Sequence, residues 1–159
     1  LDKRLKHICR GVSASGPTKR GDSHKFIKLA ERKNKKNKCK FYIAGRKNDI
    51  ALINEFKKSE IKKDYMSFES LGIKETLPII KKIDLMISND TSWSHIAVSL
   101  KIKTLTLFMD SPVMAYGRYS SRMVTIEPVG EKNTTTHDTL GKDKISFDEV
   151  YKKSIEMLN

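Results

Sequence analysis

The stretch IDLMISNDTSWSH, residues 83–95, decides how the chain is read. Its first part, Ile83-Asp84-Leu85-Met86-Ile87, is a short apolar run of the kind that forms a buried strand, and the pattern breaks at Asn89-Asp90-Thr91. Beyond the break Ile96, Ala97 and Leu100 recur at helical spacing. Asp90 and Thr91 are good N-cap residues, so the stretch reads as a strand that turns directly into a helix. The leading N–H groups of such a helix lack intrahelical partners and carry partial positive charge, which suits a phosphate. His95 follows Thr91 by four residues, so its ring and that hydroxyl share one helix face and can converge on one ligand. A simple cap followed by a core-facing histidine is the plainer alternative, and these residues alone leave both open.

Strand-like and helix-like stretches alternate on either side of this turn. A strand is expected at residues 7–12, a helix at 23–33, a strand at 39–44 and a helix at 49–57. Residues 73–82 carry Ile73, Leu77 and Ile80, continued by Ile83, at the spacing of a helix face, ahead of a strand at 85–88. Residues 104–109 form a β-branched and apolar run that reads as fully buried. A polar loop with Pro112 and Gly117 follows, then a strand at 123–127 and a threonine-rich loop. The last helix opens on the capping box Ser146-Phe147-Asp148-Glu149 and turns Phe147, Val150, Ile155 and Leu158 toward the core. This alternation predicts an α/β fold, a parallel sheet with helices on both faces that binds ligands at the C-terminal ends of its strands.

Composition narrows the class. A chain of 159 residues is long enough for one domain with a real core, and no repeat or composition break argues for two. No stretch approaches the roughly 18 apolar residues that cross a bilayer, and Leu1-Asp2-Lys3-Arg4-Leu5-Lys6 lacks the apolar core of a signal peptide. Cys9 and Cys39 both fall in strand-like runs, as buried thiols of a reducing compartment do, so a cytoplasmic protein without a structural disulfide is expected. No metal site is expected, because His7, His24, His95 and His137 are scattered and neither cysteine has a partner at ligand spacing. The chain begins with Leu1 and enters a strand almost at once, which suggests a piece of something longer.

Lys and Arg outnumber Asp and Glu by 32 to 19, a formal charge of +13 that favours acidic partners. Nucleic acid, an anionic membrane surface and a phosphorylated small molecule all satisfy it. The densest block, residues 33–40, lies where a helix ends, and a solvated helix terminus closed by an Asn is the favoured reading. Few aromatic residues accompany the basic ones, so nucleic-acid binding is a minority expectation.

Three expected strand ends carry groups fit for an anion. After the first strand comes Ser13-Ala14-Ser15-Gly16-Pro17-Thr18-Lys19-Arg20, whose small residues and hydroxyls allow close approach while Lys19 supplies charge. An ordinary Gly-Pro loop with solvated cations is the alternative. After the next strand come Gly45, which permits a tight turn, and Asp49, which can accept hydrogen bonds from a ribose or merely cap the following helix. The Asp90-Thr91 turn is the third.

Taken together, these segments resemble family 9 glycosyltransferases, the group that includes the ADP-heptose:lipopolysaccharide heptosyltransferases. The resemblance runs from about Ile8 to the last helix. It rests on SGPTKR (15–20), FYIAG (41–45), ETLPIIKKIDLMISNDT (75–91) with His95, LFMDSP (107–112) and THDT (136–139). It implies the C-terminal, Rossmann-like half of a GT-B fold, so that residues 1–159 would be one nucleotide-sugar donor-binding domain without its N-terminal acceptor domain. By motif, Ser15, Thr18 and Lys19 would meet the donor phosphates, Asp49 a ribose, and Asp90, Thr91, Ser92 and His95 the diphosphate and sugar. The implied chemistry is metal-independent glycosyl transfer, with ADP-heptose as the expected donor, no cofactor, and a general base in the missing domain. The expected acceptor is a lipid-linked or phosphorylated glycan such as a lipopolysaccharide core, with peripheral contact to the anionic inner membrane as a secondary expectation. A truncated nucleotide-binding relic, a basic nucleic-acid-binding module and a sugar-nucleotide epimerase are the competing readings. Two positions depart from the family pattern: Ser92 stands where glycine usually follows the Asp-Thr pair, and Gly21-Asp22 replaces a common Trp-Pro. The first change predicts strain or a narrower pocket if glycine is needed there, and the second predicts a looser loop.

Overall fold

The computed structural model describes residues 2, 4–36 and 38–159. In chain order its main elements are β1 (Lys6–Gly11), α1 (Ser23–Lys36), β2 (Cys39–Ala44), α2 (Ile50–Lys58), β3 (Tyr65–Ser67), α3 (Ile73–Ile80), β4 (Leu85–Asn89), α4 (Ser92–Ser99), β5 (Thr104–Leu107), α5 (Val113–Tyr116), β6 (Met123–Ile126) and α6 (Phe147–Leu158). Among the described residues six strands form one sheet in the order β3-β2-β1-β4-β5-β6, and every pairing is parallel. The chain therefore winds outward from β1 to β3, returns to the middle at β4, and winds outward again to β6. This is the doubly wound, Rossmann-like order, and its direction reverses between β1 and β4.

The apolar strand runs feed two cores by alternation. Ile8, Phe41, Ile43, Leu85 and Ile87 pack with residues of α1, α2 and α6, whereas Cys9, Tyr42, Ala44 and Met86 pack with residues of α3 and α4. All five residues of β4 are buried, as expected of a central strand covered on both faces. Cys9 and Cys39 are buried free thiols on opposite faces of the sheet.

Several expectations shift in detail. In α3 Ile80 is buried as expected, as is Ile83 just beyond the helix, and Leu77 is partly buried, but Ile73 is half exposed and Thr76 is buried in the first turns instead. Its first turn stands over the strand ends, where Ile73 lines a groove instead of the core. α6 buries Val150, Tyr151, Ser154 and Leu158, with Phe147 and Ile155 packed partly against them. Its cap is as expected, Ser146 Oγ accepting from the Glu149 N–H at 3.3 Å. β3 and α5 were not anticipated: three residues and four residues are too short to set up a period.

The basic block at the end of α1 departs most. Lys33 is 1 % exposed, its ammonium 5.7 Å from the centre of the Tyr151 ring and without a hydrogen-bond partner among the described residues. The expected solvated terminus does not apply to it, because its stem is enclosed between α1 and α6. Asn34 takes an anchoring role, donating to Asp64 at 3.0 Å and accepting from the Cys39 N–H at 3.2 Å. Asn37, the other Asn of the block, lies outside the described residues. Burial lowers the Lys33 pKa to about 8, so folding disfavours the charged form. Its cost is complete below that value and relieved as pH rises toward the unfolded pKa. Lys33→Met is therefore expected to stabilise the fold by about 1 to 2 kcal/mol near neutral pH. The advantage should shrink on going from roughly pH 6 to roughly pH 10, which urea denaturation at the two values measures.

Candidate functional site

The switch point between β1 and β4 opens a crevice at the C-terminal ends of the strands, the place where sheets of this winding take ligands. Four strand-end loops border it. The first leaves β1 through Ser13 and Ser15, makes a short 3-10 turn over Pro17–Lys19 and enters α1 at Asp22. Asp22 Oδ1 accepts from the N–H groups of His24 and Lys25 at 2.8 and 3.4 Å, so it caps α1, and the Gly21 N–H donates to Asn89 Oδ1 at 3.3 Å. The Gly21-Asp22 departure thus leaves this loop anchored at both residues.

After β2, Gly45 brings the chain close to Val12: a Cβ there would come within 2.8 Å of a Val12 methyl carbon. Asp49, 4 % exposed, accepts from Ser13 Oγ at 2.6 Å and the Arg46 N–H at 2.9 Å, and pairs with Arg20 at 3.5 Å. Both its oxygens serve the two loops; the Arg46 bond closes the short 3-10 turn Lys47–Asp49, and at the N-cap of α2 Asp49 makes no side-chain cap bond, so the expected capping of that helix is not what its carboxylate does.

After β4, Thr91 takes the N-cap position of α4 with extended backbone but makes no side-chain cap bond; its hydroxyl faces Ser88 Oγ at 3.4 Å. The helix's leading amides are therefore not used by the cap. Ser92 begins the helix and is not among the residues of positive φ, so the missing glycine brings no backbone strain. Trp93, 4 % exposed, anchors the first turn against Phe68 and reaches Ser13 Oγ through its indole N–H at 3.4 Å.

Ser15, Asp49, Asp90, Thr91 and Ser92 line one cleft of about 340 Å³ together with Arg20 and Arg46. A second groove of about 420 Å³, beneath Gly45, Asn48, Glu69 and Ile73, shares Arg46 with it. Thr18, Lys19 and His95 lie on the other side of Asp90, toward the end of β5. There Asp90 Oδ2 accepts from Ser111 Oγ at 2.6 Å, Asp90 Oδ1 lies 3.5 Å from His95 Nε2, and His95 Nδ1 is 2.6 Å from the Tyr119 hydroxyl. Burial alone would raise the Asp90 carboxyl, but hydrogen bonds from His95 and Ser111 and the charges of His95 and Lys19 hold it below its ordinary value. Asp110 behaves alike: against burial, the Leu140 N–H, the Thr18 hydroxyl, Lys19 and His137 keep its carboxyl low. The loop bearing THDT thus reaches the edge of the site, and the Leu140 N–H donates to Asp110 Oδ1 at 2.9 Å. Lys19 stands beside two ionised carboxylates, in a polar cluster next to a helix N-terminus.

Sequence reasoning missed Arg46, Asp110, Ser111 and Tyr119. Asp110 and Ser111 sit in the LFMDSP segment and Arg46 directly follows FYIAG at a strand end, where a charged or hydroxyl side chain was a usable signal. Tyr119 carried none. Among the described residues, no three His, Cys, Asp or Glu side chains are grouped to hold a metal ion, and no helix is long and apolar enough to cross a membrane.

Fold and crevice define the class: a Rossmann-like, doubly wound α/β domain with basic and hydroxyl groups gathered at its switch point. Residues 3–143 match the sequence model of glycosyltransferase family 9 (heptosyltransferase), and the chain belongs to that family. No curated protein matches it. Among solved structures, ADP-heptose lipopolysaccharide heptosyltransferase II of E. coli superposes with a TM-score of 0.80 at 18% identity, over 99% of this chain and 48% of that one. A family 9 glycosyltransferase from Veillonella parvula DSM 2008 gives 0.81 at 17%, over 99% and 47%. E. coli heptosyltransferase WaaC with ADP gives 0.81 at 9%, over 99% and 46%. At these identities the likeness is one of fold, and the chain spans about half the length of each of these proteins.

Proposed function

We propose that the chain is the nucleotide-sugar donor-binding domain of a heptosyltransferase-type glycosyltransferase. The observation that carries this reading is the convergence of Lys19, the free-standing start of α4 and the Asp90–His95 pair at the switch point of a family 9 chain. Breaking the bond between a sugar C1 and a nucleoside diphosphate builds negative charge on the departing phosphate. Lys19 and the α4 amides supply fixed positive charge for it and His95 a hydrogen-bond donor, and one such contact is worth about 3 kcal/mol of barrier. Ser15, Thr91 and Ser92 offer hydroxyls to the same phosphates, Thr18 orients the Lys19 side of the site, and Asp49 holds the β1 and β2 loops where a ribose would lie. The donor is an ADP-sugar, ADP-heptose by kinship with the proteins named above. The acceptor, a phosphorylated or lipid-linked glycan of the lipopolysaccharide type, and the general base belong to a second domain outside residues 1–159.

Isothermal titration of this chain with ADP, UDP, GDP and inorganic phosphate tests the reading. ADP is expected to bind most tightly. A folded sample that prefers no nucleoside diphosphate over phosphate would falsify it and favour a relic. Peripheral contact with the anionic inner leaflet suits the charge of +13, and the buried free thiols suit the cytoplasmic side; cosedimentation with anionic vesicles that is absent, or unchanged by salt, removes the membrane part.

A further inference from the structure

We infer that Tyr119 is a positioning residue for His95, fixing its imidazole with the proton on Nε2, so that the ring presents a donor toward Asp90 and the cleft. The inference rests on the reading of the cleft as a diphosphate site, but its first test does not.

Tyr119 lies between α5 and β6, about half exposed. Its hydroxyl is 2.6 Å from Nδ1, and the two rings lie within 28° of parallel with centroids 5.7 Å apart. On the opposite edge of the imidazole, Nε2 is 3.5 Å from Asp90 Oδ1. A carboxylate only accepts hydrogen bonds, and a neutral imidazole has one donor and one acceptor nitrogen. With Asp90 ionised, the arrangement that satisfies both contacts puts the proton on Nε2 and leaves Nδ1 to accept from the phenol. The opposite tautomer would aim the Nε2 lone pair at the carboxylate. Burial and the Asp90 charge both raise the Tyr119 pKa, which keeps its hydroxyl protonated and able to donate.

The two contacts differ in kind. The Tyr119 contact is short, whereas the Asp90 contact is at the long limit, so the Nε2 proton is loosely committed. An incoming phosphate oxygen can take it without disturbing the Tyr119 contact. Ser111 meanwhile donates to the other Asp90 oxygen at 2.6 Å and holds the carboxylate in place when His95 turns away. Tyr119 thus fixes the tautomer and the ring plane before any ligand arrives, which spares the binding step that ordering.

The variant that isolates this role is Tyr119→Phe, which keeps the ring packing and removes the hydroxyl. Long-range nitrogen–proton NMR of the wild-type chain at alkaline pH, where imidazole is neutral, is expected to show His95 as the Nε2–H tautomer. The Phe variant is expected to show a mixture, and ADP affinity measured by titration should fall about fivefold, the worth of one hydrogen bond. Wild-type His95 carrying its proton on Nδ1 overturns the inference, as does a Phe variant with an unchanged tautomer ratio. If the tautomer responds and ADP binds neither protein, the positioning role stands and the donor reading falls. If ADP binds both proteins equally and the tautomer is unmoved, the donor reading stands and this one falls.

Discussion

Asn89→Ala is expected to lower the unfolding free energy by about 3 to 5 kcal/mol, a large share of what a domain of this size has. Asn89 is fully buried at the end of β4, and its amide makes four hydrogen bonds. Oδ1 accepts from Arg10 Nη2 at 2.9 Å and from the Gly21 N–H at 3.3 Å, while Nδ2 donates to the carbonyls of Val12 and Ser13, both at 3.2 Å. One side chain thereby ties β4 to the exit of β1 and the entrance of α1. Arg10 makes the loss steep. It is 3 % exposed, its guanidinium lies over the Phe26 ring at 5.1 Å, and its Nη1 already has no partner among the described residues. Burial depresses its pKa to about 10. Without Asn89 the second terminal nitrogen is stranded as well, and an uncompensated buried charge is among the costliest defects a core can hold. Asn89→Asp should lose less: it leaves the two carbonyls without their donor but gives Arg10 a counter-ion. Urea denaturation of the three proteins with a common m-value measures the order, and a loss below about 1 kcal/mol for Ala would show that water replaces the amide.

Lys19→Ala should weaken ADP binding about 30- to 100-fold, some 2 to 3 kcal/mol, with His95→Ala costing about tenfold. A single charge-assisted bond accounts for part of the larger figure. The remainder comes from Asp90 and Asp110, whose carboxyls Lys19 helps to hold ionised. Removing the cation leaves those two negative charges facing a ligand of their own sign, and like charges at close range repel strongly where water is partly excluded. Lys19→Arg preserves the charge and should recover most of the affinity, although its planar fork does not reproduce the compact ammonium. Calorimetric titrations at two salt concentrations check this, since the electrostatic part must shrink as salt rises. An Ala variant within twofold of the parent would place Lys19 outside the phosphate contact.

What could be read beforehand follows from which features are local. The strand-to-helix turn at 83–95 announced itself because an apolar run, a cap and a helical period follow one another within thirteen residues, and β4 and α4 form there. β1, β2, β5, β6 and α6 were legible for the same reason. The sheet order was implied only by alternation, since strand partners lie far apart in sequence: β1 pairs with both β2 and β4. Side-chain partnerships across loops were not legible at all. Asp49 looked as ready for a ribose as for a cap until Ser13, Arg46 and Arg20 were seen around it. Lys33 looked solvated because nothing in a run of lysines says which one lies under a helix 118 positions later, where Tyr151 covers it. Tyr119 sits in a polar loop 24 residues from His95, and no periodicity links the two. Lys19, Asp90 and His95 could be grouped from motif alone, whereas the residues that hold them were visible only in three dimensions.

The placement of the two cysteines gives the sheet a reporter on each side. Cys9 is sealed beneath the α3–α4 layer and Cys39 beneath the α1–α2–α6 layer, and burial pushes both thiols up, so neither reacts until its own cover lifts. Thiol labelling of the unaltered chain, resolved by residue, therefore times the opening of each helical layer separately. It asks whether the two halves of a doubly wound sheet come apart as one cooperative unit or as two.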